Sequence, residues 1–251
     1  MAEHYESLSK NGSRLSYQNA IQALHHHPKQ ISSLEGFRTI SDLKEKASLT
    51  CRQQVGVRLY DDLLDRMSRE EAGEIVRIVK EGTESLQDGI IAQACGSYRR
   101  GKPTCGDVDV VITHPDGKSH KGISHKLRSK LKESGFLTDD LFVSWDEKIY
   151  WGVCKLPGEN RKHRRLDIIV VPYEEYACAL MHFTGSALFN ASMKNLCKRQ
   201  NMSLNAYTLK GGVVTEETLV LNEGTIIPTP TEESIFQVLN IPFRPPDERD
   251  H

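Results

Sequence analysis

The chain has 251 residues, with 33 lysines and arginines against 34 aspartates and glutamates, for a net charge of -1. That length suits one large or two small domains, and the balanced charge is ordinary for a soluble protein and unexpected for a nucleic-acid binder. No apolar run approaches a membrane span and no apolar leader opens the chain. The six scattered cysteines lack any CxxC pair, which argues against disulfides and structural zinc and fits a reducing compartment.

Residues 1–65 read as helical and polar, with helical patterns at Tyr17–Leu24 and Val55–Leu64. His25, His26 and His27 invite a metal reading, but consecutive helical residues point in different directions, so a solvated face fits better. Ser68-Arg69-Glu70-Glu71 has the form of a capping box, opening a helix to about Leu86. From Ile90 the pattern changes to strands: Ile90–Cys95, Val108–Thr113, Ile149–Leu156 and Leu166–Val171, with a helix at His120–Gly135 between the second and third. The expectation is an α/β (α+β) class, a small sheet with helices on one side. After Pro172 come helices at Glu174–Phe183 and Ser186–Gln200, short strands around Tyr207 and Val220, and a helix from Thr231 to near Leu239.

Charge is segregated along the chain. Lys118, Lys121, Lys126, Arg128, Lys130 and Lys132 form one basic stretch with no acid among them, and Arg161–Arg165 forms another. Each can neutralise backbone phosphates or be a solvated helix face and a solvated turn; the sequence leaves both open.

The most informative stretch is Gly96-Ser97-Tyr98-Arg99-Arg100-Gly101-Lys102, followed by Asp107-Val108-Asp109. Residues i and i+2 of a strand share a face, so the two carboxylates stand side by side, too close for two unpaired charges. Hard divalent cations such as Mg²⁺ suit such a pair, because they take oxygen ligands from few carboxylates plus substrate phosphates. The Gly-Ser turn with its arginines offers amides, a hydroxyl and guanidinium forks, the groups that grip phosphate. Asp-x-Asp alone is a weak signal and often marks a turn; in this order, before an apolar run, it points to phosphoryl or nucleotidyl transfer. A third carboxylate, Asp167, lies alone in the apolar run Leu166–Val171. A lone buried carboxylate is costly; either Arg165 pairs with it, or it joins Asp107 and Asp109 in a two-metal site. The second reading is preferred.

Gly96–Asp109 (GSYRRGKPTCGDVD), Thr113–Gly117, Phe183-Thr184-Gly185-Ser186 with Phe189-Asn190, and the segment Phe243–Asp250 resemble the X family of DNA polymerases. The resemblance runs with few gaps from about Gly36 to Asp250, and a smaller match at Tyr17–Ser33 resembles the start of that family's lyase domain. It implies a polymerase-beta-like nucleotidyltransferase palm at 66–172, a C-terminal mixed α/β thumb subdomain at 173–251, and a truncated helical lyase remnant at 1–65. It implies that Asp107, Asp109 and Asp167 are the catalytic, metal-binding residues for two Mg²⁺ ions, which Mn²⁺ can replace. Nucleotide-binding roles fall to Arg66, Gly96, Ser97, Arg100, Gly106, Phe183, Gly185 and Asn190. The implied partners are gapped or primer-template DNA, dNTP and repair-complex proteins, with no membrane, a monomeric state and residence in the nucleus. Template-independent relatives carry a long loop before the third aspartate's strand; Leu141–Tyr150 is short here, which favours templated synthesis.

The chain also departs from the pattern. His182 stands where the most similar branch has a tyrosine, Lys194 replaces an arginine, and Ala206 replaces the glutamate that anchors it. Lysine lacks the planar fork, so that exchange is not conservative. Near Glu35-Gly36 the family's helix-hairpin-helix elements and Schiff-base lysine are missing. The expectation is a shortened form without lyase activity, with weaker DNA grip, for which a catalytically feeble DNA-binding or regulatory role and a non-polymerase nucleotidyltransferase are the rivals.

Overall fold

A computed structural model describes residues 48–216 and 219–250. The expectations for Tyr17–Leu24, His25–His27, the lyase-like match and the Glu35-Gly36 junction lie outside these residues. The described residues fall into two units, divided between Tyr60 and Asp61.

In the first unit α1 (Cys51–Arg58) starts at Thr50, which forms a reciprocal capping box with Gln53. The helix expected over Val55–Leu64 is divided, α1 ending at Arg58 and α2 spanning Tyr60–Leu64.

The second unit follows as β1 (Met67–Ser68), α3 (Arg69–Glu84), β2 (Ile91–Ala94), α4 (Gly96–Arg99), β3 (Thr104–Cys105), β4 (Asp107–Thr113), α5 (Ile123–Glu133), β5 (Leu137–Val143), β6 (Ile149–Lys155) and β7 (His163–Val170). Only half of the expected capping box forms. Ser68 accepts the Glu71 amide, while the Glu71 carboxylate turns away to Arg164, at 2.8 Å from both Nε and Nη2. An ion pair with a buried guanidinium outcompetes the reciprocal amide bond.

The main sheet has five strands in the order β2-β4-β7-β6-β5, with β4 and β7 parallel and the other pairs antiparallel. The sequence pattern offered four strands; the fifth is the edge strand β5, whose pairing with β6 shifts register twice. Alternate residues of β4 and β7 divide between the faces. Val108, Val110 and Ile112 join Leu166, Ile168 and Val170 beneath α3 and α5, with Ile75, Val79, Leu127 and Leu131 completing the larger core. The opposite side carries Val111, Ile169 and Val171, packed with Ala179. That residue belongs to α6 (Tyr173–Thr184), so helices cover both faces rather than one. A strand buried on both sides reads as a continuous apolar run, which is why Leu166–Val171 was visible in sequence.

Beyond α6 come α7 (Ala187–Arg199), β8 (Met202–Leu204), β9 (Leu209–Gly211), β10 (Val214–Glu216), β11 (Leu219–Asn222), β12 (Thr225–Ile227) and α8 (Glu232–Val238). β12, β9 and β8 form a three-stranded sheet and β10 pairs with β11. Tyr207 is not in a strand but in the β8–β9 turn, where the Asn205 side chain accepts from the amides of Tyr207 and Thr208. Phe189, Met193, Cys197, Ile235 and Phe236 form a second core here. The α/β class with a mixed C-terminal part is borne out. No helix among the described residues is long and apolar enough to cross a membrane.

Candidate active site

β4 and β7 run parallel with Asp109 aligned to Asp167 and Asp107 aligned to Arg165. Aligned residues of neighbouring strands share a face, so all three aspartates project from one side of the sheet. β2 hands the chain to α4 at Cys95, whose amide donates to the Asp109 carbonyl at 2.8 Å. This brings Gly96 against the Asp109 side chain: a Cβ at Gly96 would lie 2.3 Å from Asp109 Oδ2, and the residue has φ +54°. Steric room and backbone sign both demand glycine there.

The aspartates differ in how their charge is met. Neither Asp107 nor Asp109 has an ion-pair or hydrogen-bond partner for its carboxylate among the described residues. Burial, joined by the charges of Asp107 and Asp167, pushes the Asp109 carboxyl well above the usual range, against the opposing pull of Arg165 and Arg100. Asp167 is pushed up to about 6, mainly by burial, with Arg165 pulling it down and Asp107 pushing it up. Arg165 Nη2 lies 2.7 Å from both Asp167 oxygens. The salt bridge that the sequence offered as the alternative for Asp167 is therefore present.

No three acidic, histidine or cysteine side chains among the described residues close into a metal cage by themselves. The donor set nonetheless fits a hard divalent cation. Mg²⁺ is usually held by one or two carboxylates with substrate phosphates and water completing its shell, and Asp107 with Asp109 supplies an uncompensated pair of oxygen donors.

The other expected residues fall into smaller groups. Gly96 and Ser97 open α4, and Gly96 lies against the Asp109 side chain. Arg66 donates from Nε to Thr104 Oγ1 at 2.9 Å and from Nη2 to the Thr104 carbonyl at 2.7 Å; a Cβ at Gly106 would lie 3.4 Å from its Nη1. Arg100 Nη1 donates to the Thr184 carbonyl at 2.6 Å, and Gly185 comes so near that a Cβ there would meet Nη1 at 3.3 Å. Asn190 donates to the His182 carbonyl at 2.7 Å, while its buried Oδ1 has no partner. Phe183 meets the His182 ring edge-on at 5.0 Å between centroids. Burial, reinforced by the charge of Lys194, lowers His182 to about 4, so the imidazole is neutral at physiological pH. Lys194 is exposed and Ala206 half-buried.

Sequence reasoning gave no role to the ion network behind this face. Arg99 Nη2 meets Glu232 Oε2 at 2.5 Å and its Nη1 reaches Thr184 Oγ1 at 2.7 Å. Glu232 Oε1 takes Arg249 Nη1 at 2.7 Å, and Arg249 is fully buried. These residues lie far apart in sequence, and only an acid opening a helix and arginines in a conspicuous motif hinted at them. The basic stretch Arg161–Arg165 proves to be internally paired: Arg161 with Glu74, Lys162 with Asp65, His163 with Asp62, Arg164 with Glu71 and Arg165 with Asp167. In the other stretch Arg128 pairs with Glu147 and Lys132 with Asp140, while Lys118, Lys121 and Lys126 are exposed.

Comparison with known proteins gives two family matches: the DNA polymerase beta palm over residues 66–173 and the DNA polymerase beta thumb over residues 179–250. The chain is 52% identical over 221 residues to DNA polymerase lambda of Rattus norvegicus, covering 86% of this chain and 38% of that protein. It is 35% identical over 224 residues to DNA polymerase lambda of Arabidopsis thaliana, covering 86% of this chain and 42% of the relative. Similarity extends to the DNA-directed DNA/RNA polymerase mu of Homo sapiens, at 26% identity over 246 residues, 86% of this chain and 48% of the other. The chain thus spans about two fifths of the length of the two lambda relatives.

Proposed function

This chain belongs to the X family of DNA polymerases, close to its lambda members, and from that premise we propose that it adds deoxynucleotides to a primer 3′-end, directed by a template, in gap-filling DNA repair. The observation that carries the proposal is the pair of uncompensated carboxylates, Asp107 and Asp109, on the same sheet face as Asp167. In this reading Asp107, Asp109 and Asp167 would hold the metal ions. Two Mg²⁺ ions, or Mn²⁺ in their stead, would supply activation of the primer hydroxyl and neutralisation of the leaving oxygens.

The protein's own groups do the rest. Gly96 leaves room for the Asp109 carboxylate and turns the Ser97 amide and hydroxyl toward the nucleotide's phosphates. Arg66 and Arg100 add fixed positive charge, which stabilises developing charge on phosphate oxygens without reorganisation. Phe183 and Gly185 line sugar and base, and the unpartnered Asn190 Oδ1 supports a polar contact with the minor-groove edge. Arg165 would share Asp167 with the metal, and its ion pair orients that carboxylate. DNA, dNTP, repair-complex proteins and nuclear residence follow from this assignment; lyase activity does not, because no lysine occurs in matching context near Glu35-Gly36.

A catalytically impaired DNA-binding role is the second reading, favoured by the Arg165–Asp167 pair and by Lys194 and Ala206. The test is extension of a labelled primer on one-nucleotide-gapped DNA with Mg²⁺ and each dNTP in turn. Addition of the template-matched nucleotide, lost in Asp107→Ala/Asp109→Ala, supports polymerase activity. A folded chain that binds the DNA and extends nothing leaves the second reading.

A further inference from the structure

Arg100 is held by a residue 150 positions away. Its Nε donates to Asp250 Oδ1 at 2.8 Å, as its Nη1 does to the Thr184 carbonyl at 2.6 Å. Asp250 Oδ2 also meets Lys102 Nζ at 2.5 Å. Asp250 is delivered by an anchored backbone. Next to it Arg249 is fully buried, donating from Nη1 to Glu232 Oε1 at 2.7 Å and from Nε to the Arg244 carbonyl at 2.9 Å. Its guanidinium lies over the rings of Phe189, Phe236 and Phe243 at 5.3, 5.5 and 5.6 Å. The Arg249 carbonyl accepts the Ser186 amide at 3.1 Å, directly after Gly185. The segment 243–250 is thereby tied to the α6–α7 turn and, through Asp250, to the end of the Gly96–Lys102 turn.

We infer that Asp250 is a positioning residue for the nucleotide's phosphates: it fixes the Arg100 guanidinium, with Lys102 beside it, in the orientation that meets a triphosphate. This rests on the nucleotide-binding reading of Arg100 given above. An arginine side chain has much rotamer freedom to lose on binding a ligand, and a fork already held at Nε and Nη1 loses less. The remaining nitrogen, Nη2, has no protein acceptor among the described residues and is the donor left for a phosphate oxygen. A carboxylate here also subtracts positive charge from the subsite. If Asp250 were only a counter-charge, its removal would tighten phosphate binding, which is the opposite prediction.

The test is equilibrium binding of Mg²⁺·dTTP and Mg²⁺·tripolyphosphate to the full chain, by calorimetry. The proteins are the wild type, Asp250→Ala, Asp250→Asn, Arg100→Ala and the double variant Arg100→Ala/Asp250→Ala, each checked for folding by circular dichroism. Asp250→Ala is expected to weaken both ligands by the same factor, about tenfold, the scale of one charge-assisted hydrogen bond. Asp250→Asn keeps an acceptor for Arg100 Nε and is expected to recover most of that affinity, which a general loosening of the fold would not allow. In the double variant the loss of Asp250 is expected to add nothing to the loss of Arg100. Weak binding by Arg100→Ala with wild-type or tighter binding by Asp250→Ala overturns the positioning role and leaves the nucleotide reading standing. Wild-type binding by Arg100→Ala, or no binding by the wild type itself, overturns the nucleotide reading and this inference with it.

Discussion

Two charged stretches, one opening β4 and one running into β7, meet opposite fates. Every residue from Arg161 to Arg165 finds an acid within the protein, whereas Asp107 and Asp109 touch no cation among the described residues, and burial with the neighbouring carboxylates raises the pKa of the Asp109 carboxyl. The cluster that could have served phosphate or a solvated turn is internally paired, and the Asp pair expected to hold a metal has no cation against it among the described residues. Among the described residues the Arg161–Arg165 stretch is compensated from within the protein, while the carboxylates of Asp107 and Asp109 are left for something from outside to compensate.

The sharpest way to break the comparison is to remove the bare pair. Asp107→Ala/Asp109→Ala is expected to lower primer extension by at least about a thousandfold, because the whole metal-borne stabilisation goes with it; single-turnover rates on gapped DNA measure the loss. On the compensated side, Glu232→Gln strips the carboxylate shared by Arg99 and Arg249 and leaves a buried guanidinium unpaired. A cost of about 3–5 kcal/mol is expected in urea unfolding.

Asp109→Asn should act in the reverse direction, stabilising the metal-free protein by about 1–2 kcal/mol while abolishing extension, as expected where function is held at the expense of stability. Its pH dependence follows from sign. The folded-state Asp109 carboxyl titrates above its unfolded value, so ionising it costs stability as pH rises through the folded pKa. The gain of the asparagine variant over wild type is therefore expected to be largest above neutrality and to shrink toward pH 4; a gain that grows on acidification would contradict this origin. The smallest effect belongs to Arg161→Ala. Its pair with Glu74 is about 40% exposed on both sides, so stability is expected to move by less than about 0.5 kcal/mol. The salt dependence of DNA binding should not change, since the arginine is spent on Glu74.

Much of this arrangement was legible in the sequence because its signals are local. Asp107-Val108-Asp109 shares a face by strand period alone, and Leu166–Val171 announces a strand buried on both sides. β5 escaped because Asp139 and Asp140 interrupt an edge strand's alternation and its register shifts twice. The helix expected at Glu174–Phe183 is present as α6, but the face it covers escaped, because a helical pattern reads the same whichever side of the sheet it packs on. The strands expected around Tyr207 lie on either side of it, as β8 and β9, because Asn205 supplies turn chemistry at Tyr207 itself. Pairs such as Arg99–Glu232 and Arg100–Asp250 were invisible for a different reason: 133 and 150 residues separate the partners, and no local pattern encodes a charge's distant partner. The Arg165–Asp167 pair is the opposite case: its partners lie two residues apart, so the sequence itself offered the salt bridge, and the structure shows it formed.

The central claim is that a divalent cation supplies the compensation missing at Asp107 and Asp109. The direct measurement is the unfolding midpoint of the full chain against Mg²⁺ concentration, for wild type and Asp107→Asn/Asp109→Asn at one ionic strength. Binding to the folded state alone raises stability with ligand concentration, so the wild-type midpoint is expected to climb with Mg²⁺ while that of the variant stays level. Equal climbs in both proteins, or none in either, would contradict the account.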